Sequence, residues 1–545
     1  MKKNNKGFLL AEVITVSVVT IVALVIIYAQ FVTVDNSYYK SFKYNNVDKL
    51  FLANQLKQFI NGDNASELYS DIENISYADI TNCDAYFIER TYCRNLINAI
   101  DAKQVLVTKL DTSSILDKLK ENKIVSSDMY TFISNNKSLE NGYRLIIEFN
   151  DNTYATLKLG SSVIYKDSIL NGADPELKDN LVPVVINNDG TVKKADIYSE
   201  WYNYTNKTWA NAVLLNGNDT YSAGDTIEEN NIKAYYVWIP RYKYQIFYDG
   251  VNATSKQLIN IEFENKDTTK SNSTTKGEWL THPAFTFGDT ELNGIWVGKF
   301  ELTGDTSNPT IKPNVESLRN QNVSTLFLTT QKLSTNSSMI KNIEWGAVAY
   351  LTTSIYGQGL TEVRINNSST FITGCAASVE NGSEYTGCEN AYNTSIGYLA
   401  STTGNISGIY DMSGGAYEYV MGVMEDSLNS NTPSSGDNAQ ANSGFTGKTI
   451  GTVANIIGVA FPKSIYYDIY DYGTSRSNYS ERSIIGDSTV ETKGWNGMYD
   501  YFVNNYNPWF IRGGSYSDNV NTGLFAFISN GGQAYIRYST RAVLR

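Results

Sequence analysis

GIYDMSGGAYEYV at residues 408–420, followed by WFIRGGSY at 509–516 and YSTRAVL at 538–544, sets two arginines and two carboxylates among aromatic residues and glycines. Elementary chemistry assigns these residues structural work first. Gly513 and Gly514 free the backbone to take positive φ or to approach another strand closely. Arg512 and Arg541 lie among aromatics and short polar residues, where a planar guanidinium ties down carbonyls or a carboxylate. A buried arginine needs a fixed acceptor, and Asp411 and Glu418 are the expected partners.

Around these stretches, from about residue 183 to 545, short aromatic-rich segments alternate with Asn, Ser, Thr and Gly loops. That texture predicts an irregular domain in which loops outweigh regular elements. The Asn/Ser/Gly stretch at 425–447 reads as an exposed loop insertion. Trp238, Trp296, Trp345 and Trp509 each lie in apolar segments and read as core, and His282 before Pro283 reads as a hydrogen-bonded structural residue.

The three motifs, in this order, resemble the formylglycine-generating-enzyme branch of the C-type lectin-like fold. The resemblance rests on Gly408, Tyr410, Asp411, Met412, Gly414 and Glu418, then Arg512, Gly513, Gly514 and Ser515, and finally Ser539 and Arg541. Gly415-Ala416-Tyr417 departs from that family's Asn-Val-Trp, and Tyr516 replaces its Trp. The family's oxidase works through cysteines in the C-terminal segment, and residues 509–545 contain none. A thiolate or copper site there has no sulfur ligands. With one histidine in the chain, neither a Ser-His-Asp arrangement nor a multi-histidine metal site is supported. The sequence therefore predicts no enzyme, no metal and no cofactor, although 56 acidic residues leave a two-carboxylate hydrolase open.

What remains is binding. Residues 516–538 interleave apolar Leu524, Phe525, Phe527 and Ile528 with polar side chains. Tyrosine gives large amphipathic contact area at low entropy cost, while Ser and Asn give adaptable hydrogen bonding. The segment also resembles the variable region of target proteins diversified by retroelements, in which residues from adenine-containing codons are randomised on this scaffold. The ligand-facing set is then Tyr516, Ser517, Asp518, Asn519, Asn521, Ser529, Asn530, Gln533, Tyr535, Arg537 and Tyr538. An ordinary polar loop and strand edge is the competing reading.

At the other end, Lys2, Lys3 and Lys6 precede Gly7, Phe8 and an apolar run to Phe31 whose only charge is Glu12. The run has about the ~20 residues a membrane-spanning helix needs. A lone carboxylate there costs roughly 2.5–3.5 kcal/mol on insertion scales, so it calls for a dedicated partner. KGFLLAE with this apolar stem resembles the signal of type IV pilins and pseudopilins. The resemblance implies that a prepilin peptidase cuts after Gly7, that Phe8 becomes a methylated amino terminus, and that Glu12 pairs with the terminus of a neighbouring pilin subunit. A plain anchor or an ordinary secretory signal would equally place the rest of the chain outside the cytoplasm.

Beyond Asp35 a helical pattern continues through Val47, Leu50, Phe51, Leu56, Phe59 and Ile60, and a second helix is expected within 101–123 with Leu116, Leu119 and Ile124 on one side. RLIIEF and YATLKL flank Asn150-Asp151-Asn152 as a hairpin. Residues 166–182, with Gly, Pro and charges and no apolar period, read as a linker. Four cysteines fall into near pairs, Cys83/Cys93 and Cys375/Cys388. Three pairings exist formally, and two local disulfides are the simplest in an exported chain.

The expected architecture is α+β. It has a leader (1–7), a long pilin-type transmembrane and assembly helix (8–34), a small α+β head (35–165), a linker (166–182) and a loop-rich C-type lectin-like ligand-binding domain (183–545). The expected function is that of a minor pilin-like adhesin on a bacterial cell surface. Its partners would be the peptidase, other pilin subunits, the membrane through the N-terminal helix, and an extracellular protein or glycan. An exported enzyme or a purely structural pilin subunit is the alternative. Net charge of −12 without a long basic stretch argues against nucleic acid.

Overall fold

The computed structural model describes the backbone of residues 40–44, 104–107, 143–150 and 154–161. It also describes 164–545 apart from 179, 218, 248–254, 274–276, 425–441, 447–458, 471–484, 490, 493–494, 496–499 and 505–506. The chain divides into two compact units, Met1–Tyr165 with Ile197–Ser199, and Lys166–Asp196 with Glu200–Arg545.

In the first unit the described strands form one antiparallel sheet, in the order Lys40–Tyr44, Tyr154–Ser161, Tyr143–Asn150, Gln104–Val107. The expected hairpin is present, paired without interruption from Tyr143 opposite Ser161 to Asn150 opposite Tyr154. One helical expectation is corrected. Lys40–Tyr44 is a strand rather than part of a continuing helix, paired from Lys40 opposite Leu159 to Tyr44 opposite Ala155. Gln104–Val107 is a strand paired with Tyr143–Asn150, as its β-branched Val105 and Val107 favour, while Leu116, Leu119 and Ile124 of the second expected helix lie outside the described residues. The remaining residues of those helical patterns, the leader and stem with Gly7, Phe8 and Glu12, and Cys83 and Cys93 lie outside the described residues.

The two largest sheets of the second unit lie beside a three-stranded sheet and three two-stranded ones. Seven strands run in the order Ser337–Met339, Ala542–Leu544, Gly294–Gly298, Ile232–Pro240, Asn211–Leu215, Leu181–Ile186, Val192–Lys194. The central sequences, IKAYYVWIP and GIWVG, are buried almost throughout, so their continuous apolar runs belong to strands covered on both faces. The second sheet has the order Asp468–Tyr470, Tyr417–Met424, Trp509–Gly513, Gly523–Asn530, with Tyr538–Thr540 beside Tyr417–Met424. Its described residues include two α-helices, α1 (Val323–Thr330) and α2 (Asn342–Thr352). Helix α2 is wholly buried. Glu344 accepts the Lys341 backbone N–H at 2.8 Å and Asp468 accepts that of Ile343 at 2.8 Å, which satisfies donors of its first turn.

The α+β expectation with a long N-terminal helix is therefore corrected: the described residues are mainly strands with two short α-helices. No helix among them is long and apolar enough to cross a membrane. Residues 166–182 are no linker either. Leu170 and Ala173 are fully buried, and the Trp238 and Trp296 indole N–H groups donate to the Ala173 and Glu176 carbonyls at 2.9 and 2.7 Å. Contacts made by a carbonyl leave no apolar period, which is why the segment reads as unstructured in the sequence. Cys375 and Cys388 are bonded to each other.

Candidate functional site

The motif residues form a buried frame. Strand Tyr417–Met424 pairs antiparallel with Trp509–Gly513, placing Glu418 opposite Arg512, and parallel with Tyr538–Thr540, placing Glu418 opposite Ser539. Of the two expected carboxylate partners, Glu418 meets an arginine. Arg541 Nη2 lies 2.6 Å from Glu418 Oε1, and both side chains are fully buried. The remaining donors of Arg541 reach the Gly298 and Tyr410 carbonyls at 2.7 and 2.8 Å. Asp411 accepts instead from Asn366 Nδ2 at 2.8 Å and from the Gly374 N–H at 2.9 Å.

Arg512 donates to Asn342 Oδ1 at 3.1 Å, to the Asp487 and Ser488 carbonyls at 3.3 Å and to Ser488 Oγ. Gly513 and Gly514 have φ of 82° and 75°. A Cβ on Gly514 would lie 2.8 Å from Thr522 Cα, so close backbone approach requires glycine there.

Two buried charges next to these motifs escaped the sequence reading. Lys299 donates all three protons, to Asn211 Oδ1 at 2.9 Å and to the Ile406 and Gly408 carbonyls at 2.6 and 2.8 Å. Glu301 accepts the Ala416 N–H at 2.8 Å. The signal for both was present: two charges bracket Phe300 at the end of an apolar strand.

Burial shifts these groups strongly. It lowers Lys299 well below the usual amine value. It raises Glu301 well above the carboxylate range, helped by the charges of Asp411 and Glu418. Glu418 is pushed up to about 7 by burial against the pull of Arg541, and Asp487 is likewise pushed up to about 7 by burial. His282, buried with Nδ1 accepting the Ala284 N–H at 3.2 Å, is held down to about 3 by burial.

An acid with a raised folded pKa contributes stability that is complete below its unfolded value and is lost as pH rises through the folded one. His282 acts oppositely, removing stability as pH falls below its unfolded value of about 6.5. Lys299, lowered by burial, acts in the same direction as His282, but Glu301, Glu418 and Asp487, joined by Asp411, Asp468 and Glu491, which burial also raises, outnumber these two bases. All eight tryptophans lie in the second unit, so their fluorescence reports that unit. Its urea midpoint should rise between about pH 7 and about pH 5, and Asp487→Asn should remove part of the rise. A midpoint that falls over this range would contradict the assignment.

On this frame sits a tyrosine- and arginine-bearing face. Tyr417 and Tyr538 are opposite each other in register with rings 5.8 Å apart, and Tyr535 packs on Tyr538 at 5.0 Å. The backbone carrying them is pinned: the Tyr417 N–H donates to the Arg537 carbonyl at 2.9 Å, and the Asn320 N–H to that of Tyr535 at 3.0 Å. Arg537 lies 5.2 Å from the Tyr516 ring centre and donates to Ser517 Oγ at 2.8 Å.

The eleven sequence candidates separate here. Gln533, Tyr535, Arg537, Tyr538 and Ser517 are exposed or half-exposed. Tyr516 is buried against Phe371 and Ala416 and serves as the floor under Arg537. Ser529 and Asn530 are buried, and Asn530 holds the face by donating to Tyr538 Oη at 2.8 Å while accepting from Tyr419. Asp518 accepts the Ser515 N–H at 2.7 Å and its hydroxyl at 2.9 Å, so it shapes the turn. Asn519 and Asn521 bound the short helical turn after it, and Asn519 has φ of 51°. Tyr417 beside Tyr538, Phe371 against Tyr516, and Arg319, which donates to the Ile536 carbonyl at 2.6 Å, were missed, being brought in from elsewhere in the chain.

Among the described residues no group of three His, Cys, Asp or Glu side chains is placed to hold a metal ion. No family model matches this chain, and no curated protein matches it.

Proposed function

We propose that the chain is a non-enzymatic binding protein of the bacterial cell surface, an adhesin whose ligand meets the face around Tyr535, Arg537 and Tyr538. One observation carries this reading. Tyr535 is 45 % exposed at the end of a backbone held by hydrogen bonds to two other segments, so large amphipathic side chains project from a fixed support. A rigid support lowers the entropy lost when such side chains are immobilised by a ligand. The prepilin-type signal at Gly7, Phe8 and Glu12 supports export and association with pilin subunits. The motif resemblance supports a lectin-like scaffold without oxidase chemistry.

The test is a screen of the full-length chain against arrayed glycans and extracellular proteins, with Tyr535→Ala alongside. Loss of an exposed aromatic anchor should weaken the ligand found by about tenfold or more. Binding that ignores Tyr535→Ala would remove the face from the proposal. In the producing cell, Gly7→Ala should leave the leader attached, read as a mass larger than the wild-type mature chain; an unchanged mature mass would overturn the prepilin reading.

A further inference from the structure

We infer that this face takes a protein partner that presents an exposed carboxylate, with Arg537 as the anchoring side chain. The inference rests on the binding role proposed above and adds the chemistry of the ligand.

Among the described arginines, Arg241, Arg319, Arg541 and Arg545 each pair with a glutamate. Arg512 and Arg364 are occupied by carbonyls. Arg537 differs: its one side-chain hydrogen bond among the described residues is to Ser517 Oγ, and it makes no ion pair there. A guanidinium carries five donors in a planar fork that matches a carboxylate. Resting over the Tyr516 ring, the fork is held in orientation before any ligand arrives. The carboxylate nearest in sequence, Asp518, is already turned to the Ser515 N–H and hydroxyl.

The surroundings select a protein over other acidic ligands. Ile536 is 57 % exposed next to Tyr535, and Val520, on the loop that supplies Ser517, is 61 % exposed. Aliphatic side chains offer nothing to the hydroxyls of a glycan, whereas apolar side chains of a protein bury against them favourably. Nucleic acid is disfavoured, because its affinity comes from many clustered cations and, among the described residues, this face has one guanidinium without an ion pair. Tyrosine and arginine flanked by aliphatic groups is the composition of energetically dominant positions in protein interfaces.

The probes are a random peptide library displayed on phage, panned on the full-length chain, and an array of uronic-acid and sialic-acid glycans. Selected peptides should carry Asp or Glu beside apolar residues. Changing that acid to its amide should weaken binding to the wild-type chain by about tenfold and to Arg537→Gln by less than about twofold. Arg537→Lys, which keeps the charge and loses the fork, should fall between them. Selected peptides without acids, or glycan binding that disappears in Arg537→Gln, overturn the inference. Peptides that depend on Tyr535 and ignore Arg537→Gln overturn the anchor and leave the binding face standing. Peptides that ignore both variants, or failure of both probes to bind, overturn the inference and the face together.

Discussion

Arg541→Met will cost the second unit about 3–5 kcal/mol, the usual loss when one partner of a buried ion pair is removed and the other stays. The guanidinium is fully buried and bonds both carboxylate oxygens of Glu418, at 2.6 and 3.2 Å, as well as the Gly298 and Tyr410 carbonyls. Methionine fills much of the space and replaces none of those donors. Glu418 is then buried near Asp411 and Glu301 with no counter-charge, and it must take up a proton or admit water.

Position magnifies the effect. Arg541 stands between Tyr538–Thr540, paired to Tyr417–Met424, and Ala542–Leu544, paired to Gly294–Gly298, so its bonds tie the two sheets where the chain passes from one to the other. A domain is typically stable by about 5–15 kcal/mol, so the loss is a large share of the total. The double change Arg541→Met, Glu418→Leu should recover part of it, because no charge is left stranded. Urea unfolding followed by tryptophan fluorescence measures both variants. A single-variant loss under about 1 kcal/mol would mean that the pair is not carrying the junction.

That junction shows what the sequence could and could not reveal. A glutamate in YEYV and an arginine in YSTRAVL are conspicuous because charges in apolar strands need partners, and they found each other. Asp411 is conspicuous for the same reason and feels the Arg541 charge, but its hydrogen bonds come from Asn366 and the Gly374 N–H, polar groups in loops with no pattern of their own. Arg512 draws on Asn342, 170 residues upstream, and on the Asp487 and Ser488 backbone. No local rule points to those.

The hairpin at Tyr143–Ser161 was legible because period-two alternation and a turn triplet coincide in one short stretch. The helical reading of Lys40–Tyr44 failed where sheet pairing overrode a spacing that fits either structure. On the binding face, composition alone marked the polar residues of 516–538, and burial then divided them. Ser529 and Asn530 belong to a covered strand, while Tyr535 and Ile536 lie beyond its end and reach solvent.

Trp345→Ala should be nearly as damaging as Arg541→Met, at about 3–5 kcal/mol, the range for emptying a buried aromatic site. Trp345 is fully buried on α2, its Nε1–H donates to the Leu524 carbonyl at 2.7 Å, and the Arg512 guanidinium lies 5.6 Å from its ring. A Cβ on Gly513 would come within 3.3 Å of the ring, so glycine and indole are fitted to one another. Alanine removes the wall beside Arg512, whose Nε has no acceptor among the described residues, and leaves the Leu524 carbonyl with only the longer hydrogen bond from Arg512 Nη2 at 3.4 Å. Trp345→Phe separates the two contributions. It keeps most of the apolar volume and loses the hydrogen bond, for which about 1–2 kcal/mol is expected. The urea midpoint of the full-length chain should therefore order wild type above Trp345→Phe above Trp345→Ala. Because strand Gly523–Asn530 leads from this contact to the Asn530–Tyr538 hydrogen bond, the alanine variant should also weaken ligand binding at temperatures where the unit is still folded. Equal midpoints for the two variants would show that the indole contributes its hydrogen bond alone, and the packing role given to α2 behind the face would have to be withdrawn.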